Sequence, residues 1–402
     1  MWTPLSAALL SLLAQDARPT AGVLTLVEST PTETSLGAPD LPQTAMVWED
    51  MVASARRDLV LSHFYASADA AGPLDRVVDA IEAAGARGVR VRFLLSERFR
   101  ETYPDVPARL AAAPGVEVRF IDFKQVGGGV MHAKYMVVDG ARAFLGSPNF
   151  DFRAMDQIQE LGVRLEDRGL AGGLSRVFEL DWAHAGGEAA PSFEGDVPTA
   201  GMLHAATQAG ALDAATRVTL ACSPRDHLPE GVAWDLPLIE GLIDGARERF
   251  RVQVLTYDAT GYGGGFFDVL ESALRRAAAR GVRVELLVAD WCKREGCVDG
   301  LQSLACIDGI EFRFVVIPEA STGFVPFSRV AHPKFCVADE RAAWIGTSNW
   351  EGSYFTTSRN VGVVLKGASV GARLARWFDA TFASEYAEPV VPGRTYRPRR
   401  RQ

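Results

Sequence analysis

The chain contains its own fold pattern twice, and this duplication restricts the possible folds more than any other feature. The hexapeptide Ala-Arg-Gly-Val-Arg-Val at 86–91 recurs unchanged at 279–284. Each copy follows an alanine-rich amphipathic stretch, at 73–84 in the first case and 266–279 in the second, and each runs into apolar residues. Such a pattern is typical of a helix followed by a strand, so we expect this pair of elements in both halves.

Further strands are expected on both sides of the repeated hexapeptide. Alternating apolar runs after a glycine at 115–120 and 309–314 predict one strand in each half, and the runs at 59–65 and 252–257 predict another. Each half therefore has a β-α-β pattern followed by more strands, which indicates an α/β protein built as two pseudo-symmetric α/β sandwich halves. The alternative is one irregular α/β domain in which the similarity is accidental.

The repeat also suggests where the domains begin and end. We predict an N-terminal half at 22–184 and a C-terminal half at 217–390. The Gly-, Ala- and Pro-rich segment 185–216 has weak periodicity and is predicted to be a linker. The final segment, 391–402, contains five arginines and is predicted to be a basic tail, which either assists an anionic substrate or is simply solvated.

The first residues resemble an export signal. Residues 1–17 include an apolar run that is long enough for a signal-peptide core and too short to span a bilayer. We therefore expect an exported protein, periplasmic or extracellular. However, Lys and Arg are missing before the apolar run, and the alternative is an N-terminal helix of a cytoplasmic protein.

One motif with chemical meaning occurs in both halves. The pattern H-x-K-x4-D appears twice, 200 residues apart, in a chain that has only six histidines and five lysines. A His and a Lys two positions apart in an extended chain project from the same face, where an imidazole and an ammonium suit a phosphate. The candidate site residues from this motif are His132, Lys134, Asp139, His332, Lys334 and Asp339.

Each motif is followed by a second signature after a turn. The sequences Gly-Ser-Pro-Asn at 146–149 and Gly-Thr-Ser-Asn at 346–349 are again 200 residues apart. A return strand would bring their side chains back beside the histidines, where hydroxyl and amide groups can donate to phosphate oxygens. The candidate substrate-binding residues are Ser147, Asn149, Thr347 and Asn349.

Together these motifs resemble the signature of the phospholipase D superfamily, with every catalytic position of both copies present. The resemblance extends over nearly the whole chain from Leu26. It is most similar to the branch of animal endolysosomal phospholipase D-like 5′ exonucleases and related poxvirus envelope proteins. The residues that carry this narrower match lie at 26–29, 129–135, 159–163 and 345–355.

The resemblance implies cleavage of a phosphodiester without a metal or cofactor, through a phosphohistidine, in an active site between the halves. Because two motifs complete one site, no protein partner is required, and the oligomeric state stays open. Lysine and asparagine side chains would stabilise the charge on the phosphoryl oxygens. Asp139 and Asp339 would orient the motif loops rather than transfer protons.

One broken symmetry suggests how the two histidines divide the work. Glu160 lies 28 residues after His132, whereas the equivalent position after His332 is Asn360. A carboxylate at Nδ1 would stabilise a cationic phosphohistidine. We therefore expect Glu160 to contact His132, which makes His132 the nucleophile and His332 the general acid and base; the alternative is that the roles are reversed.

Two substrate classes remain open. The net charge of −8 requires any phosphate site to be local. Single-stranded nucleic acid is favoured by the branch resemblance and by aromatic residues near the motifs, and phospholipid is the alternative. Both motifs being intact argues against a non-catalytic scaffold. The aromatic candidates for base stacking are Tyr135, Phe150, Phe152, Phe335, Trp350, Tyr354 and Phe355.

The cysteines suggest a disulfide more than a metal site. Cys292, Cys297 and Cys306 cluster without a nearby histidine, and their spacing differs from that of paired zinc knuckles. A disulfide among these three is plausible in an exported protein. Cys336 lies in an apolar run and is predicted to be a buried thiol.

Overall fold

The computed structural model describes residues 22–206, 212–260 and 265–401. The predicted signal segment, 1–17, lies outside these residues. Among the helices of the described part, none has the length and apolar character needed to cross a membrane.

The first half follows the predicted alternation of strands and helices. Helix α2 carries the first alanine-rich stretch, and β4 carries most of the apolar run that follows the repeated hexapeptide. Its elements are β1 (Gly22–Ser29), α1 (Thr44–Ala53), β2 (Asp58–His63), β3 (Ala66–Ser67), α2 (Pro73–Ala86), β4 (Arg90–Ser96), α3 (Asp105–Ala111), β5 (Val116–Ile121), α4 (Phe123–Gly127), β6 (Tyr135–Val138), β7 (Arg142–Gly146), β8 (Phe150–Asp151), α5 (Arg153–Asp156), β9 (Glu160–Glu166) and α6 (Arg168–Gly186).

The second half repeats this order after a hairpin. Helix α8 and strand β15 are the counterparts of α2 and β4. The elements are β10 (Ala200–Ala206), β11 (Leu212–Ser223), β12 (Ala233–Trp234), α7 (Asp235–Gly245), β13 (Arg249–Val254), β14 (Tyr257–Asp258), α8 (Val269–Ala279), β15 (Arg283–Ala289), α9 (Cys297–Ala305), β16 (Ile310–Val315), β17 (Phe335–Ala338), β18 (Ala342–Gly346), β19 (Trp350–Glu351), α10 (Gly352–Thr356), β20 (Asn360–Lys366), α11 (Ala368–Phe382) and β21 (Ala387–Pro389).

The sheets of the two halves have the same strand order. In the first, the order is β5-β4-β2-β6-β7-β9-β1, with parallel pairing among β5, β4 and β2 and antiparallel pairing beyond. In the second, the order is β16-β15-β13-β17-β18-β20-β11 with the same directions. Strand β10 joins the two sheets, because it pairs with β1 in parallel and with β11 in antiparallel orientation. The prediction of two pseudo-symmetric α/β sandwich halves is confirmed.

Side chains alternate along the central strands, and this explains why each sheet has an apolar core on both of its faces. In β6, Tyr135 and Val137 pack into a core shared by α6 and α11 from the two halves. Met136 and Val138 point the other way, into a core with α1 and α2. Because successive side chains of a strand face opposite sides, the apolar motif strands are buried on both faces. The motif residues before β6 and β17 are thereby fixed next to the contact between the halves.

The predicted linker, 185–216, is only partly a connection. Strand β10 and the first residues of β11 fall within it and form a hairpin in the sheet. The small residues of this segment give no clear apolar pattern. Strand β10 is held in place by backbone pairing with strands on both of its sides, which a side-chain pattern does not reveal. The sequence pattern therefore missed a strand that connects the halves.

Candidate active site

The two H-x-K-x4-D motifs meet across the contact between the halves. The His132 N–H donates to Arg359 O at 3.0 Å, and the His332 N–H donates to Gln159 O at 2.9 Å. Each motif thus hydrogen-bonds to the residue just before a strand of the opposite half, the first motif before β20 and the second before β9. Both imidazoles line a single cavity of about 240 Å³. The structure therefore brings the two predicted histidines into one site.

Each histidine has its polar partner in the other half. His332 Nδ1 lies 2.9 Å from both carboxylate oxygens of Glu160, and His132 Nδ1 lies 3.0 Å from Asn360 Oδ1. The expectation that Glu160 contacts His132 was therefore wrong. The reason is the backbone pairing just described, since the start of β9 lies beside the second motif and the start of β20 beside the first.

The hydrogen bonds around Asn360 fix the tautomer of His132. The amide Nδ2 of Asn360 donates to Tyr354 O at 2.7 Å, so its Oδ1 must face the ring. This oxygen only accepts, and His132 Nδ1 must carry the proton. The other ring nitrogen, Nε2, consequently presents a lone pair.

The hydroxyls of the second signature lie behind the histidines. Ser147 Oγ donates to Glu160, and Thr347 Oγ1 donates to Asn360 Oδ1 at 2.9 Å. Neither Ser147 nor Thr347 is exposed to solvent. Their predicted role as donors to a substrate phosphate is therefore wrong, because their hydroxyls are used to hold the partners of the two imidazoles.

The asparagines of that signature do face the cavity. Asn149 and Asn349 line it, and the Oδ1 atom of each is buried without a hydrogen-bond partner in the described part of the chain. The two predicted lysines are fully buried beside the histidines. Lys334 Nζ donates to His332 O at 2.6 Å, and Lys134 Nζ donates to His132 O. The asparagines thus line the cavity itself, while each lysine lies behind it, bound to the carbonyl of its motif histidine.

Burial sets the electrostatics of this cluster. It lowers the pKa of Lys134 and of Lys334, the latter to about 7, and repulsion from Lys334 lowers the pKa of Lys134 further. Burial and the two lysines lower the pKa of both histidines, while burial raises the pKa of Glu160 to about 7. Glu160 opposes the lowering of both lysine pKa values, and a phosphate bound beside the lysines would favour their charged form in the same way.

The two motif aspartates lie at the far end of the motif strands. The carboxylate of Asp139 accepts backbone N–H groups from 56–58, and that of Asp339 accepts those from 247–249. Partial burial opposes their charge, but these donors hold the pKa of both carboxyls below its ordinary value. Both residues adopt a left-handed backbone, with φ of 53° and 49°, in the turn to the return strand. They anchor the motif strands, as the resemblance implied.

The aromatic residues around the cavity are largely different from those predicted. Of the seven candidates, Tyr354 lines the cavity, while Tyr135, Phe150, Phe335, Trp350 and Phe355 are core residues and Phe152 lies outside its lining. Most of the lining rings follow the carboxyl ends of parallel strands, where ligands of α/β sheets commonly bind, and this rule is the signal that points to that region. The lining rings are Phe64, Tyr65, Phe99, Tyr103, Trp291, Phe327 and Tyr354.

The cysteines contribute nothing to this cavity. All five are free thiols, so the structure does not contain the suggested disulfide. Cys336 is buried, as expected. In residues 22–206, 212–260 and 265–401, no group of three or more His, Cys, Asp or Glu is arranged to hold a metal ion.

Comparison with known sequences gives a consistent result. The family model described as "Cardiolipin synthase, PLD-like domain" matches residues 49–182 and 239–382. The 5′-3′ exonuclease PLD3 of Rattus norvegicus is 29% identical over an alignment of 372 residues, and the match covers 87% of this chain and 75% of that protein. Phospholipase D Z of Dictyostelium discoideum is 29% identical, covering 86% of both chains. The virion nicking-joining enzyme of vaccinia virus is 31% identical, covering 78% of this chain and 76% of that enzyme.

A solved structure shares the fold across both halves. The phosphatidylserine synthase of Haemophilus influenzae superposes with a TM-score of 0.56 over 86% of this chain and 85% of its own, at 11% sequence identity. At that identity the likeness concerns the fold alone.

Proposed function

This chain belongs to the phospholipase D-like domain family and is a phosphodiesterase of the phospholipase D superfamily, and we propose that it removes nucleotides from the 5′ end of single-stranded nucleic acid. The observation that carries this proposal is the aromatic lining beside the two histidines. The Phe64 and Tyr354 rings lie 5.0 and 4.9 Å from the His132 imidazole, centroid to centroid. A nucleoside whose phosphate reached His132 would have its base among these rings, which suit stacking.

The lining is held in a fixed arrangement, as a stacking surface requires. Tyr65 and Tyr103 stack with centroids 4.8 Å apart. The Tyr65 hydroxyl donates to Asp151 at 2.7 Å, and the buried Arg153 pairs with the same carboxylate at 2.8 Å. Arg153 also donates to the Tyr103 hydroxyl. Rings fixed in this way lose little conformational entropy when a base binds.

Phospholipid is the second candidate substrate. It is supported by the 29% identity to phospholipase D Z, and by the affinity of aromatic rings for the quaternary ammonium of a choline head group. The rigid, extended aromatic lining favours the nucleic acid, because a base offers a planar face to stack on.

The proposed reaction has two steps on a metal-independent path. In the first, His132 Nε2 attacks phosphorus and forms a P–N bond, while His332 gives a proton to the leaving alkoxide as the P–O bond breaks. In the second, His332 takes a proton from water, whose oxygen attacks phosphorus and breaks the P–N bond. Lysine ammonium groups and the cavity asparagines stabilise the charge on the non-bridging oxygens. These residues are Lys134, Lys334, Asn149 and Asn349.

The partners of the imidazoles support this division of roles. A nucleophile must be neutral with a free Nε2 lone pair, and the neutral Asn360 gives His132 that tautomer without attracting a second proton. A general acid must hold two ring protons, and the Glu160 carboxylate stabilises an imidazolium at His332. We therefore still propose His132 as the nucleophile, as the sequence suggested. The reason is now its neutral partner Asn360 and not a contact with Glu160.

Replacement of Glu160 by glutamine tests this argument. The variant keeps an acceptor for His332 Nδ1 but removes the negative charge, so we expect kcat to fall about 10- to 100-fold, the range found when the hydrogen-bond partners of metal-bound histidines are replaced. Because kcat/KM requires a protonated His332, it falls as pH rises through the pKa of the Glu160–His332 pair. Without the carboxylate this pKa is lower, and the alkaline fall should move to lower pH. Profiles of kcat/KM against pH measure both effects.

The matched control changes the hydrogen-bond partner of the other histidine. Asn360→Asp places a carboxylate against His132, which should protonate the nucleophile and reduce kcat/KM on the acid side instead. If kcat/KM falls on the same side of the pH profile in both variants, the assignment of roles is contradicted.

The proposed substrate is tested with EDTA-treated protein on a 5′-hydroxyl single-stranded oligonucleotide and, in parallel, on mixed phospholipid vesicles. We expect stepwise loss of nucleotides from the 5′ end, and none with His132→Asn. Release or exchange of a lipid head group with the oligonucleotide intact would identify the second candidate as the substrate.

A further inference from the structure

Two residues of the C-terminal segment Tyr396–Arg401, here called the strap, contact the segments that carry part of the cavity lining: Arg399 and Arg401 are half-buried there, while Arg397 is exposed. Arg401 Nη2 donates to Trp291 O at 3.0 Å, and its guanidinium lies 4.9 Å from the centre of the Trp291 ring. The Phe327 N–H donates to Arg401 O at 2.8 Å. Trp291 and Phe327 both line the cavity, with ring centroids 6.3 Å apart. The strap therefore contacts both of these aromatic residues.

A second arginine ties the strap to the segments that carry these rings. Arg399 Nη1 donates to Asp290 Oδ2 at 3.0 Å and to Arg329 O at 2.8 Å. Asp290 is buried, and burial raises its pKa while Arg399 opposes that shift. Asp290 precedes Trp291, and Arg329 follows Phe327 by two residues. Arg399 thus bridges the two segments from behind.

The segment that carries Phe327 is strained. Phe327 and Arg329 have φ of 59° and 54°, a left-handed backbone that costs bulky residues energy. Such a conformation persists only where surrounding contacts fix it. The strap supplies two of these contacts, and Arg153 supplies another by donating to Pro326 O at 3.1 Å.

We propose that the strap sets the position of Trp291 and Phe327 as one side of the binding slot for the terminal base, and so determines base-dependent recognition of the substrate. This inference rests on the proposed nuclease function. Tyr65 and Tyr103 belong to the first half and line the same cavity, so its lining has rings from both halves. Arg399 and Arg401 are positioning residues, because they act on the base through the two rings.

The test compares two single-stranded oligonucleotides that differ at the 5′ position: one begins with a thymidine, the other with an abasic tetrahydrofuran residue. In the unaltered protein, we expect kcat/KM to be at least about tenfold higher for the thymidine substrate, as stacking of one base provides. In the double variant Arg399→Ala/Arg401→Ala, this ratio should fall to within about twofold of one, while the abasic substrate is cleaved as before.

The matched control is Arg397→Ala, in the same segment. Arg397 is exposed and makes no hydrogen bond or ion pair within the described residues, so removing its charge should leave the ratio unchanged. If the ratio falls equally in this control, general attraction by a cationic tail replaces positioning as the explanation and the proposal fails.

Other outcomes separate this inference from the function on which it rests. An unchanged ratio in the double variant, or equal loss on both substrates, would overturn the role of the strap and leave the nuclease function standing. Failure of the unaltered protein to cleave either oligonucleotide would overturn the nuclease function, and this inference with it.

Discussion

Replacement of His132 by asparagine is expected to lower kcat by at least about 10⁴-fold, because an amide cannot attack phosphorus in place of the imidazole. His132 lines the cavity of the site, so the smaller asparagine enlarges an existing space and creates no new void in the core. The loss should therefore occur without a matching loss of stability. Single-turnover cleavage of an oligonucleotide and denaturant unfolding measure the two quantities on the same variant.

The variant His332→Asn should fail at a different step, and this distinguishes nucleophile from acid. A substrate with a p-nitrophenolate leaving group needs no proton for the first step, so this variant should release one equivalent of p-nitrophenol and stop. Hydrolysis of the P–N bond then lacks its base, and a phosphoryl adduct should accumulate on His132. Mass spectrometry after an alkaline quench locates it. An adduct on His332 in the His132→Asn protein would reverse the roles.

The residues of the site were predictable because they are duplicated, but their pairing was not. Spacing within each copy related Glu160 to His132 and Asn360 to His332, yet the hydrogen bonds run between the copies. Sequence distance describes neighbours within a half, whereas the residue before β9 pairs with the second motif and the residue before β20 pairs with the first. A pseudo-twofold arrangement exchanges partners in this way, and the spacing carries no information about it.

The aromatic lining was missed for another physical reason. Aromatic residues close to the motifs in sequence, such as Phe150 and Trp350, fill the cores on either side of the sheet. Those that reach the cavity come from the ends of other strands, since Phe64 follows β2 and Trp291 follows β15. Burial patterns predict strands well, but which residues past the strand ends face a common cavity depends on sheet order. Sheet order is set by pairing between strands that are far apart in sequence, and a local burial pattern does not show it.

A buried ion pair links the halves next to the site, and breaking it has the largest effect expected on stability. Arg359 and Asp181 are both fully buried, and the guanidinium donates to both carboxylate oxygens at 2.8 and 2.9 Å. Asp181→Ala leaves an uncompensated charge in the interior, which costs about 3–5 kcal/mol of unfolding free energy. Because Arg359 O also accepts from the His132 N–H, we expect kcat to fall with it.

The symmetry-related contact between the halves is a neutral hydrogen bond. At the positions related by 200 residues, Gln159 Nε2 donates to Thr381 Oγ1 at 3.0 Å in place of the ion pair. The double variant Asp181→Thr/Arg359→Gln copies this arrangement and should recover most of the stability that Asp181→Ala loses, since it leaves no unpaired charge. Thr381→Ala, the matched control, should cost only about 1 kcal/mol. Urea unfolding ranks these variants, and a loss below 1 kcal/mol in Asp181→Ala would show that the pair does not hold the halves together.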